Sequence, residues 1–112
     1  MRSQLENYSV NLNASGQVRL IGVIETSFSD LFNLFGPARR VENGCASNEW
    51  RFVNSRGEVF AIYDGATPAE QINGPCTFRM AASSMRHGRK FALWLQDMLY
   101  AYRLTGDFKF VA

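Results

Sequence analysis

The sequence predicts an α+β domain: an antiparallel β-sheet of four to six strands carrying two hairpins, one short helix, and one long C-terminal helix packed on the sheet. Three observations predict it. "NYSVNLN" (7–13) and "QVRLIGVIET" (17–26) alternate apolar and polar residues around the turn "ASG". "NEWRFVNSRGEVFAIYD" (48–64) does the same around "NSRG". From Met85 to Leu104, Phe91, Trp94, Leu95, Met98, Leu99 and Tyr102 recur at i, i+3, i+4 and i+7, a helical stripe.

In chain order, the first strand pair places Tyr8, Val10 and Leu12 on one face, and Gly22 marks a bulge in its second strand. A short helix follows within "TSFSDLFNLFGP" (26–37). Thr26, Ser27 or Ser29 caps it, Asp30 suits its first turn, and Gly36 then Pro37 stop it. "RRVENGCAS" (39–47) reads as a polar loop with an Asn-Gly corner. After the second hairpin, "GATPAEQINGP" (65–75) is a long connection punctuated by Gly and Pro, a candidate functional loop. "CTFRMA" (76–81) is a short strand, and the serines after it cap the long helix. Gly106 ends that helix, and "FKFV" (108–111) is an edge strand. Phe108 and Phe110 there either pack back on the sheet or offer an edge for oligomerisation.

The bulk numbers narrow the classes. At 112 residues, with 46 % hydrophobic and 20 % charged residues, one domain spanning 1–112 can bury a core, and a disordered chain is excluded. No apolar run approaches a membrane span. "MRSQLENYSV" lacks the apolar stretch of a secretory signal. Cys45 and Cys76 have no C-x-x-C spacing, and one histidine cannot complete a zinc site with them, so no metal or cofactor is expected. The two cysteines could pair in an oxidising compartment; without a signal segment they read as free thiols. The net charge of +2 is too small for bulk nucleic-acid binding.

The charge is distributed unevenly. Ten of the twelve basic residues are Arg, the side chain that grips carboxylate and phosphate with two parallel hydrogen bonds. No carboxylate occurs from Gln71 to Gln96, where Arg79, Arg86, Arg89 and Lys90 fall. A helix N-terminus is already electropositive, so each cation there costs a few tenths to about one kcal/mol. Ser83 and Ser84 offer hydroxyls, Ala81, Ala82 and Gly88 leave room, and Phe78 and His87 offer flat surfaces. Small residues, free N–H groups and guanidinium groups at a strand-to-helix junction are the ingredients of a phosphate site. The glycines of a Walker A loop or a dinucleotide fingerprint are absent. Three uses of the cluster are open: a surface or internal ion-pair network with Glu49, Asp64 or Glu70, a small anionic ligand, or an acidic macromolecular partner.

Other constellations compete. Ser83 or Ser84 with His87 and Asp64 could form a nucleophilic triad, but serines beside a helix start are usually caps, and no G-x-S-x-G is present. Glu49, Glu58, Asp64 and Glu70 could supply acid–base pairs, although nothing in their spacing forces them together. Trp50, Phe52, Phe60 and Tyr63 could form a base-stacking platform or the core beneath the long helix.

"FSDLFNLFGPARR" followed by "NEWRFVNSRGEVFAIYD" resembles small domains common in bacteriophages and large DNA viruses. Their pattern runs F-x-x-L-x-x-x-F-G-x-P, a loop, E-W-x-F, a Gly turn and V-F-x-I-Y-D. Phe28, Leu31, Phe35, Gly36, Glu49, Trp50, Phe52, Gly57, Val59, Phe60, Ile62, Tyr63 and Asp64 match it, and Pro37 follows Gly36 one position early. Where those domains carry W-H-I-G-G, this chain has Phe78-Arg79-Met80-Ala81-Ala82 or Met80-Ala81-Ala82-Ser83-Ser84. The resemblance implies a viral protein acting in the host cytoplasm against host defence. It implies either a sponge for a nucleotide signal, similar to anti-Thoeris and anti-CBASS proteins, or an anti-CRISPR-like inhibitor.

The combined expectation is a non-enzymatic, homo-oligomeric protein that sequesters a phosphate-bearing nucleotide without cleaving it. Arg79, Arg86, Arg89 and Lys90 neutralise phosphate, Ser83 and Ser84 hydrogen-bond its oxygens, Phe78 or Tyr63 stacks on a base, and His87 completes the site. The alternative is an inhibitor that binds a host defence protein or nucleoprotein effector. A third expectation is a hydrolase or ring-opening enzyme acting on such a nucleotide with His87 at its centre.

Overall fold

The computed structural model describes residues 8–43, 45–64, 75–102 and 107–110. Among these lie strands β1 (Ser9–Val10) and β2 (Arg19–Ser27), helix α1 (Phe28–Phe35), strands β3 (Arg39–Asn43), β4 (Cys45–Val53), β5 (Val59–Tyr63) and β6 (Pro75–Ala82), helix α2 (Met85–Ala101) and strand β7 (Asp107–Phe110). The strands make one seven-stranded sheet in the order β1-β4-β5-β6-β2-β7, with β3 also on β4 and every pairing antiparallel. The α+β class follows. The connection 65–74, Leu104, the expected stop at Gly106 and Val111 lie outside the described residues, as do the side chains of Cys45, Cys76 and Phe108.

Local signals act where the sequence places them. Ser27 caps α1, its Oγ accepting the Asp30 N–H at 3.1 Å, and Gly36 closes it with φ 81° and an N–H donated to the Phe32 carbonyl. The β4–β5 hairpin turns through Asn54, whose Oδ1 accepts the Arg56 and Glu58 N–H groups at 3.1 and 2.9 Å. Gly57 supplies the positive φ of 78° there. Asn54 is only 7 % exposed. Asn54→Ala is therefore expected to cost about 2 kcal/mol by stranding these partners, read as a lower denaturant midpoint at unchanged slope.

Two expectations are corrected. The segments 7–13 and 17–26 do not pair with each other. Ser9 stands opposite Val53 on β4, whereas β2 lies between β6 and β7, so the connection between β1 and β2 spans β4, β5 and β6. The Arg51 guanidinium donates to the carbonyls of Ala14 and Gly16 at 3.2 and 3.4 Å, tethering that connection non-locally. β2, with Ile21 and Ile24 buried, is paired along its whole length by β6 and over Gly22–Glu25 by β7, whereas the two-residue β1 could cover only a short part of it. Of residues 39–47, expected as a polar loop, 39–43 form β3 and 45–47 open β4, in register from Arg39↔Glu49 to Asn43↔Cys45; Gly44 lies outside the described residues.

One face of the sheet carries Trp50, Phe52, Phe60, Ile62, Phe78 and Met80, buried beneath α1 and α2 with Phe91, Leu95 and Leu99. Trp50, Phe52 and Phe60 are core, not a base-stacking platform: each is 0 % exposed, and Phe60 stacks on Phe91 with ring centroids 5.0 Å apart. The bulge expected at Gly22 falls between Leu20 and Gly22. It adds Ile21, which packs against Gly88 of α2; a Cβ on Gly88 would overlap Ile21 Cδ1. Gly88 costs the helix about 1 kcal/mol relative to Ala, and close seating of α2 on β2 offsets it.

Candidate functional site at the start of α2

β6 ends at Ala82 and α2 begins at Met85, so Ser83 and Ser84 form the junction. Ser84 is the N-cap, its backbone extended at φ −153° and ψ 160°, and its Oγ accepts the His87 N–H at 3.2 Å. His87 stands at the third helical position, where a capping box usually holds Glu or Gln. Its Nδ1 lies 3.0 Å from Ser84 Oγ and 3.4 Å from Ser83 Oγ. Its Nε2 reaches Glu58 Oε2 at 3.2 Å, across to the β4–β5 turn. Asn54 Nδ2 donates to the other Glu58 oxygen at 2.7 Å. With the proton on Nε2 directed at Glu58, Nδ1 accepts the Ser84 hydroxyl, and a hydrogen-bonded series runs from Asn54 through Glu58 and His87 to Ser84.

That series has the carboxylate–imidazole–hydroxyl order of a nucleophilic triad. Its local geometry is that of a cap: Ser84 and His87 lie within one helical turn, and Ser84 Oγ is engaged by a backbone N–H. The series clasps α2 to the β4–β5 turn. Asp64, the acid considered for a triad, is elsewhere. It is 3 % exposed and accepts the Asn48 backbone N–H at 2.8 Å and side-chain amide at 3.1 Å.

The nine candidate residues divide three ways. Ser83, Ser84, Arg86, His87, Arg89 and Lys90 stand together on the junction and the first turns of α2, with Arg86, Arg89 and Lys90 exposed. Phe78 is corrected: it is 0 % exposed, its ring 6.1 Å from that of Trp50, so it cannot stack on a ligand. Arg79 is corrected as well. Its neighbours Phe78 and Met80 are buried beneath the helices, so Arg79 is presented on the opposite face, beside its cross-strand partner Tyr63. Tyr63 and Arg79 thus lie across the sheet from the α2 cluster. His87 is engaged by Glu58, and the Arg89 guanidinium lies 5.4 Å from the centre of the Phe110 ring, a cation–π contact. Arg86 and Lys90 form no ion pair with another described residue.

The fold adds a cation that sequence reasoning missed. Arg19 opens β2 opposite Ala82, the last residue of β6. An open cleft of about 400 Å³ is lined by Gln17, Val18, Arg19 and Ser83. Only the β2–β6 pairing joins Arg19 to the serine junction, and no spacing in the sequence signals it. The separation of Phe78 from Arg79, by contrast, was legible, since adjacent strand residues face opposite ways.

Among the described residues no group of three or more His, Cys, Asp or Glu side chains converges as a metal would require, and no helix is long and apolar enough to cross a membrane. The chain matches no family model, no curated protein and no solved structure.

Proposed function

We propose that this protein is a non-enzymatic binder that holds a phosphate-bearing small molecule at the start of α2. The observation that carries the reading is the cleft lined by Arg19, Gln17 and Ser83 at the serine junction that opens α2, where the helix origin is electropositive. Arg19 and Arg86 form no ion pair with another described residue, so a ligand's phosphate would not displace an existing partner. Arg19 replaces Arg79 in the set, and the engaged His87 orients Ser84. The engagement of Ser84 as a cap favours holding over cleaving. The resemblance to phage and large-DNA-virus domains extends the proposal to sequestration of a nucleotide immune signal in an infected cell.

The experiment is a thermal-shift and calorimetric panel of cyclic dinucleotides, cyclic trinucleotides and ADP-ribose derivatives. A bound nucleotide at a hundredfold excess over Kd stabilises by about 2.7 kcal/mol, a rise in Tm of roughly 10 °C for a chain of this size. Arg19→Glu is expected to weaken that binding at least about tenfold, as loss of a charge-assisted contact predicts. An undiminished affinity in this variant removes the cleft from the proposal. The nucleotide should be recovered intact after heat denaturation; hydrolysed product would point to the triad-like series instead. If no nucleotide shifts the Tm while the protein captures a defence effector, the anti-CRISPR-like alternative takes its place.

A further inference from the structure

We propose that the molecule has a second binding site, for a guanidinium group on an aliphatic arm, in the cleft between α1 and the end of α2. The cleft has a volume of about 230 Å³ and is lined by Asp30, Asn33 and Leu34 of α1 and by Tyr102, the C-cap of α2. The three α1 residues are spaced i, i+3 and i+4, so they share one side of that helix. The charge of the place is negative. Asp30 is half-buried and forms no ion pair with another described residue. Tyr102 stands at the electronegative end of α2, whose last turn carries no basic residue. α2 is therefore unbalanced at both ends: cations crowd its start, and no cation of its own compensates its end.

The lining selects a guanidinium among cations. Its planar fork pairs with a carboxylate such as Asp30 through parallel hydrogen bonds, and the Asn33 carboxamide supplies a further acceptor. Its flat face suits the Tyr102 ring, which is 62 % exposed and forms no ring contact with a described residue. Leu34 gives the aliphatic arm an apolar wall. An ammonium would answer the charge but not the plane. Two sources carry this chemistry, a free guanidino compound and the arginine side chain of a partner. The site stands apart from the ligand reading at the start of α2. The helix has 17 residues, a length of about 25 Å, so one small molecule cannot reach both ends.

The test titrates the full chain with butylguanidinium, its neutral isostere butylurea and arginine blocked at both ends, followed by the amide resonances of Asp30, Asn33, Leu34 and Tyr102. The expected result is saturable shifts with butylguanidinium and binding of butylurea at least about tenfold weaker. Asp30→Asn keeps the shape of the side chain and should weaken binding at least about fivefold. Tyr102→Leu should weaken it about threefold through loss of the ring face. Circular dichroism confirms that each variant is folded. Tighter binding of blocked arginine than of butylguanidinium assigns a partner's side chain, and the reverse order assigns a free compound; either supports the site. Arg103 follows Tyr102 and lies outside the described residues, and Arg103→Gln should leave the affinity unchanged. A tenfold rise in that variant would mean that the chain's own guanidinium competes for the cleft, and it overturns the proposal. So do an absence of saturable shifts, equal binding of butylurea, and an undiminished affinity in Asp30→Asn.

Discussion

Trp50→Ala is expected to lower the unfolding free energy by about 4 kcal/mol, and Tm by roughly 15 °C. Trp50 is 0 % exposed and touches two elements besides its own strand. Its ring packs against Phe28 of α1 at 5.4 Å and Phe78 of β6 at 6.1 Å. Its Nε1–H donates to the Gly36 carbonyl at 2.9 Å, at the point where α1 stops. Alanine would leave a cavity among rings and strand that carbonyl. Trp50→Phe separates the two effects, since it keeps most of the ring and loses only the donor; it should cost about 1–2 kcal/mol. Denaturant unfolding followed by circular dichroism checks both. An alanine variant within measurement error of the parent would mean that Trp50 does not fix the end of α1.

Gly22→Ala is expected to detach β7 from the sheet at a cost of about 3 kcal/mol. Gly22 lies at the bulge in β2, opposite both Met80 and Phe110. A Cβ there would overlap the Lys109 carbonyl oxygen and sit 3.0 Å from Phe110 Cα. Both are backbone atoms, so no rotamer change relieves the overlap, and the short strand must move. Hydrogen exchange distinguishes this from global destabilisation. Amides of β7 and of Gly22–Glu25 should lose protection while those of the β4–β5 hairpin keep it. Unchanged protection along β7 would refute the close approach.

These expectations show which parts of the molecule were legible before the fold. The capping groups Thr26, Ser27 and Ser29 before α1 and Ser83 and Ser84 before α2, the stop at Gly36, the Asn54 turn and the stripe Phe91, Leu95, Leu99 were readable because each acts within about one helical turn or one hairpin, and the structure chose Ser27 and Ser84 as the caps. The cationic start of α2 was readable for the same reason: a helix dipole and its neighbouring charges are local quantities. Strand partnership was not. The alternation in residues 7–26 shows that two strands exist, but not which strands bury them, and β2 found β6 and β7 instead of β1.

The sequence by itself determined the class of the fold, the positions of both helix starts, the bulge at Gly22 and the excess of guanidinium near Ser84. Tertiary structure alone decided that Glu58 would clasp His87, that Arg19 would reach the serine junction, and that Arg79 would stand on the far face of the sheet. The physical reason is range. Capping and helix periodicity are satisfied within a few residues, whereas pairing and facing are chosen by burying apolar surface across the whole sheet.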